Sequence, residues 1–274
     1  MVSKLCALAI WAAQDDLTVL RPDKADAPPS KMLYRYLEGQ VRKKLDVRKA
    51  GLESWSADEL RKRQRELRPR LLEHLGGFPE RSPLNARVVG KRAGEGYSVE
   101  RVIYESRPDH HVTALLYLPE GRAPFPGVLV PCGHAQNAKA FGEYQRVCIL
   151  MAKNGIAALC FDPLGQGERV QIFGSDGKSA ASDNSLEHTM IGIGALLIGK
   201  SGAALTAWDS IRSLDYLAGR PEVDPRRLGV TGNSGGGAMT GHLMALDDRV
   251  VAAAPDCSVT NIGLERLFAT FGPC

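Results

Sequence analysis

Nothing in this sequence approaches the roughly 20 consecutive apolar residues of a membrane-spanning helix, so no span is read from it. It has no C-x-x-C pair. Its six cysteines, Cys6, Cys132, Cys148, Cys160, Cys257 and Cys274, are irregularly spaced. That spacing indicates no zinc site, and so sparse a supply argues against a disulfide framework. Cys132, Cys148 and Cys160 fall in apolar patterns and read as small buried hydrophobes. Basic and aromatic residues do not interleave, which removes the usual sign of a nucleic-acid site. There is no internal repeat, no low-complexity tract, and no motif that implies a metal or cofactor.

What is present is an ordinary globular composition: 274 residues, 44% hydrophobic, 24% charged, net charge +4. Much of the basic excess lies between Lys31 and Arg70 and reads as solvated helix faces. Residues 1–14 carry one lysine followed by the apolar run Leu5–Ala13, a pattern like a short secretory signal peptide. That reading makes the protein secreted or periplasmic. The n-region is thin and no A-x-A site precedes Gln14, so a buried segment of a cytoplasmic protein is the alternative.

Residues 15–80 read as an N-terminal helical segment. Leu33, Tyr36, Leu37, Val41 and Leu45 recur at helical spacing. Ser56–Glu59 is a capping-box pattern opening a second helix through about His74, closed by Gly76, Gly77 and Pro79. Residues 81–274 form the main domain. Its first part holds three alternating β-branched runs, 86–92, 97–106 and 111–119, expected to be antiparallel. From residue 127 continuous apolar strands alternate with helical patterns. The fold class expected is therefore α/β, a mostly parallel sheet covered by helices, with antiparallel entry strands and an N-terminal helical appendage. The insert 164–201 has little periodicity and reads as loop with a short helix.

The chemistry-bearing motif is Gly232-Asn233-Ser234-Gly235-Gly236, a G-x-S-x-G between a predicted strand and a predicted helix. In that context Ser234 is the candidate nucleophile. The N–H of Gly235 opens the helix and is a candidate oxyanion donor. The second donor is expected in the loop Val130–Ala140 after the first parallel strand, with the N–H of His134 preferred over that of Ala135. The His134 ring as a base is a further alternative. "FDPLGQGER" (161–169) reads as a turn held by Asp162 and Arg169, or as a loop lining the site. His188 is read either as a substrate contact or as a structural histidine, and His110–His111 as an exposed turn.

These stretches resemble the α/β-hydrolase superfamily, most nearly its acetylxylan esterases and cephalosporin-type deacetylases. The matching pieces run from about Glu100 to Asp256, and "DYLAGRPEVDPRRLGVTGNSGG" is their most specific part. The resemblance implies a serine carboxylesterase that deacetylates acetylated carbohydrate through an acyl-enzyme. Its partner would be a small-molecule or oligosaccharide ester substrate. A serine peptidase of the oligopeptidase type and a non-catalytic hydrolase-fold protein are the alternatives; acyl group, sugar and oligomeric state stay open.

The sequence departs from the resemblance in one respect. Superfamily triads run Ser, then Asp or Glu, then His. Of His74, His110, His111, His134, His188 and His242, only His242 follows Ser234, eight residues along the helix. The expectation is therefore a C-terminally truncated esterase, with the later strands and the triad acid and base missing and with little turnover of its own.

Overall fold

Residues 29–181 and 183–258 are described by the computed structural model. The signal-peptide reading of residues 1–14 and the strand-free reading of 259–274 lie outside them. The described residues fall into two compact units, 29–55 and 56–258. The first is helix α1 (Met32–Ser54), largely solvent-facing, with an Arg42–Glu38 ion pair of 2.7 Å one turn apart. It ends where Trp55 N–H donates back to Gly51 O.

The second unit opens with α2 (Ala57–Leu75). The capping box forms: Ser56 N–H donates to Glu59 Oε2 at 2.7 Å and Glu59 N–H to Ser56 Oγ at 3.3 Å. Gly76 closes the helix in the left-handed region (φ 89°), where a β-carbon is disfavoured.

Strands β1 (Arg87–Gly94), β2 (Tyr97–Arg107) and β3 (His110–Pro119) pair antiparallel in succession. Then come β4 (Phe125–Pro131), α3 (Gly142–Lys153), β5 (Ala157–Phe161), α4 (Asn184–Leu197), α5 (Gly202–Ala218), β6 (Val223–Asn233), α6 (Gly235–Leu246) and β7 (Val250–Asp256). The seven-stranded order is β1-β2-β3-β5-β4-β6-β7. β3 meets β5 antiparallel, while β5, β4, β6 and β7 run parallel. This is the α/β architecture expected, as a mixed sheet. The insert holds more helix than expected: α4 has 14 residues, capped by Asp183 accepting from Leu186 N–H.

Helices cover both faces. On one, Trp208, Ile211, Leu214 and Leu217 of α5 and Met239 and Leu243 of α6 pack on Leu116, Leu129, Leu159 and Leu228. On the other, Cys148 and Ala152 of α3 pack on Val130, Cys132, Ala158 and Cys160. Each fully buried leucine contributes about 1.5–3 kcal/mol. Cys132, Cys148 and Cys160 are buried, as small hydrophobes would be. Among the described residues no helix is long and apolar enough to cross a membrane.

Chain order reverses at β4, whose neighbours are β5 on one side and β6 on the other. The carboxyl ends of β4 and β6 therefore open on a switch point, where open α/β sheets place their ligands.

Candidate active site

Ser234 sits at that switch point, between the end of β6 and the start of α6, and it is exposed. Its backbone is at φ 54° and ψ −116°, a conformation that strains a residue bearing a β-carbon. The turn is held at both ends: Ser234 N–H donates to Asp256 O, and Ala238 N–H donates to Ser234 O, each at 3.0 Å. It is also compressed. A β-carbon on Gly236 would stand 2.1 Å from Pro131 O, and one on Gly232 would stand 2.6 Å from Gly236. These contacts explain the small residues on either side of the serine. Gly235 begins α6, whose first N–H groups have no partner within the helix.

The loop after β4 packs on this elbow. A β-carbon on Gly133 would lie 2.4 Å from Asn233 O and 3.3 Å from Ser234 Cβ. The loop's polar groups are largely engaged. Gly133 N–H donates to Tyr144 Oη at 2.6 Å. Gln166 Nε2 donates to Gly133 O at 2.8 Å and to Ala135 O at 3.0 Å. Gly167 N–H donates to Gln136 O at 2.9 Å, and Lys139 N–H donates to Asp162 Oδ1 at 3.0 Å. Lys139 Nζ also pairs with Asp162 Oδ2 and, at 2.9 Å, with Glu168 Oε1. Burial works against the Lys139 ammonium, but the two carboxylates outweigh it and its pKa is raised.

Of the two alternatives for "FDPLGQGER", the turn is present in the structure, although the Asp162 carboxylate takes Lys139 and Thr113 rather than the Arg169 guanidinium, which donates to Asp162 O. It also lines a small cavity beside the elbow with Cys132, His134, His188 and Gly235.

His134 and His188 face each other across that cavity, Nε2 to Nδ1, at 3.1 Å. His188 Nε2 lies 2.5 Å from Leu164 O, which can only accept, so that nitrogen carries a proton. Neutral His188 therefore accepts at Nδ1, and His134 donates from Nε2. Burial lowers the pKa of both rings, and His188 lowers that of His134 further. His188 is thus hydrogen-bonded in structure and also lines the cavity. His242 is half-buried on α6, and burial lowers its pKa as well. His110 departs from the exposed-turn reading: Arg169 Nη2 lies 2.7 Å from its Nε2, beside the buried Asp209. Asp256 Oδ2 accepts from Asn233 Nδ2 at 2.7 Å. Among the described residues no hydrogen bond reaches Ser234 Oγ.

Gln166 and Tyr144 do not stand out in the sequence. One signal for Gln166 is present there: it is flanked by Gly165 and Gly167, both at positive φ, and a β-carbon on Gly167 would stand 2.4 Å from Asp162 Oδ1.

The sheet order, the strained serine between strand and helix, and the loop packed against it define an α/β-hydrolase fold. A profile of the family described as "Acetyl xylan esterase (AXE1)" matches residues 93–259, and the chain belongs to that family. It is 26% identical over 210 residues to YtaP of Bacillus subtilis (strain 168), named as a candidate hydrolase, covering 70% of this chain and 64% of that one. A candidate acetyl xylan esterase of Bacteroides fragilis NCTC 9343 superposes with a TM-score of 0.62 at 20% identity, covering 73% of this chain and 54% of that one. Methylesterase BT1017 superposes at 0.57 with 27% identity, over 75% of this chain and 44% of that one. The chain therefore spans less than two thirds of the length of these relatives.

Proposed function

We propose that this chain carries the nucleophile and the oxyanion half of a serine carboxylesterase acting on acetylated carbohydrate. Ser234 Oγ attacks the ester carbonyl, and the developing oxyanion is met by the N–H groups of Gly235 and His134. The carbon–oxygen bond to the sugar breaks and the alcohol leaves with a proton. Acetyl remains as an ester on Ser234 until water releases acetate. The observation that carries this reading is the strained Ser234 backbone at the β6–α6 junction, with the β4 loop packed against its Cβ.

A hydroxyl needs a base to attack efficiently. None of the described histidines is hydrogen-bonded to Ser234, and we assign the acid and the base to no described residue. The functional residues are Ser234, Gly235 and His134, with no cofactor. A non-catalytic hydrolase-fold protein is the second reading, favoured by the lack, among the described residues, of a hydrogen bond to Ser234 Oγ.

The test is hydrolysis of p-nitrophenyl acetate by the 274-residue chain, with fluorophosphonate labelling mapped by peptide mass. Labelling confined to Ser234 with little turnover is expected. Steady turnover that Ser234→Ala abolishes without unfolding would overturn the incomplete triad. Absence of Ser234 labelling would favour the non-catalytic reading.

A further inference from the structure

Two carbonyls of the loop bearing His134 accept from a single side chain that lies outside both the G-x-S-x-G elbow and the loop itself. Gln166 is 1% exposed, and its amide nitrogen reaches two main-chain carbonyls of that loop, Gly133 O and Ala135 O. In a trans peptide the C=O and the next N–H point in opposite directions. The carbonyl of Gly133 and the N–H of His134 belong to one such plane. A hydrogen bond that holds Gly133 O against Gln166 therefore turns the His134 N–H to the opposite side. The carbonyl of Ala135 fixes the peptide plane after that residue in the same way. Gly133 packs directly on the elbow, with Asn233 O and Ser234 Cβ on its side-chain side.

We propose that Gln166 is a positioning residue: its amide sets the peptide plane that aims the His134 N–H at the oxyanion site beside Ser234. This rests on Ser234 being the nucleophile and the His134 N–H an oxyanion donor. Two donors on one planar group are what the task requires. The carbonyls bind both amide hydrogens or one shared hydrogen, whereas a thioether in the same place offers none and a carboxyl at most one, when protonated. The backbone around Gln166 reinforces the hold, since Gly167 N–H binds Gln136 O.

The experiment uses the full chain and two variants of like size, Gln166→Glu and Gln166→Met. Fluorophosphonate labelling forms a Ser234 Oγ–P bond, expels fluoride and gives the hydroxyl proton to solvent. It builds negative charge on the phosphoryl oxygen, which the same donors would meet. The maximal labelling rate should fall by up to about 100-fold in both variants, the scale of a ~1 Å misplacement of a catalytic group. The half-saturating probe concentration should stay near that of the native chain. Amide exchange at Gly133 and Gly167, both hydrogen-bonded within the loop contact, should quicken in the variants while β4 amides hold.

Equal labelling rates in native chain and variants would overturn the proposal and leave the nucleophile reading intact. Unchanged exchange at both glycines would overturn it whatever the labelling. Failure of the native chain to label, with Ser234→Ala as control, would sink the nucleophile reading and the positioning role of Gln166 together.

Discussion

Arg169 Nη2 lies 2.7 Å from Asp209 Oδ2, tying the loop after β5 to α5 through an ion pair in which both side chains are buried. Asp209 Oδ1 accepts from Ser106 Oγ at 2.6 Å and from Arg107 Nη1 at 3.1 Å. Burial alone would raise the Asp209 carboxyl, but Arg169, His110 and Arg107 outweigh it and hold it well below the usual carboxylate range. Asp209→Asn leaves two guanidinium groups facing a neutral amide, and breaking a buried pair this way costs about 3–5 kcal/mol. Urea unfolding of the two proteins at pH 7 measures the difference.

The same pair gives stability a pH dependence of known sign. The folded pKa of Asp209 is depressed below the unfolded value of about 3.9. Its contribution is therefore full above about pH 4 and is lost as the pH falls toward the folded value. The Asn variant should lose less stability than the native chain between about pH 4 and pH 2, as read from denaturant midpoints across that range. Parallel curves for the two proteins would contradict the assignment.

Gly236→Ala tests the compression under the serine. Its methyl carbon would meet Pro131 O at 2.1 Å and Cys132 C at 3.1 Å, both backbone atoms of β4 and its exit. Overpacking of this kind costs about 1–3 kcal/mol. Gly241→Ala, on the same helix with open space around the site, is the matched control and should raise stability by about 0.5–1 kcal/mol.

Ser234→Gly and Ser234→Ala both remove the hydroxyl but differ in strain. Alanine keeps a β-carbon at φ 54°, while glycine adopts that conformation freely. Relief of about 1–3 kcal/mol of strain against about 0.5–1 kcal/mol of added chain entropy leaves the glycine variant the more stable by roughly 1 kcal/mol. Equilibrium unfolding of the pair decides it.

The His134–His188 contact fixes two tautomers. Nitrogen-15 spectra of the imidazole rings at about pH 7 should show both in the Nε2–H form. Because burial depresses both pKa values, the rings should stay neutral somewhat below the pH at which a free histidine titrates, about 6.5. A neutral Nδ1–H His188 would refute the donation to Leu164 O, and a charged His188 at neutral pH would refute its acceptance from His134.

The elbow is legible in the sequence because its chemistry is local. A strand, a serine between glycines and a helix occupy a short consecutive stretch, and the reason for each small residue is a close neighbour. The three antiparallel entry strands are legible for the same reason, from alternation alone. Helix α4 is longer than its sequence suggests because its run "HTMIGIGALL" mixes glycines with β-branched residues and obscures helical spacing. Gln166 is hidden for a different cause: its partners are carbonyl oxygens 33 and 31 residues away, and main-chain acceptors leave no signature in side-chain identity. His110 looks like a turn residue because Arg169, 59 positions later, gives it a partner that adjacent residues do not reveal.

The β4 loop also carries a consequence for the order of synthesis. Its partners Tyr144, Asp162, Gln166 and His188 all precede Thr189, while the serine it packs against is Ser234. The side chains that hold the loop therefore leave the ribosome ahead of the serine it packs against.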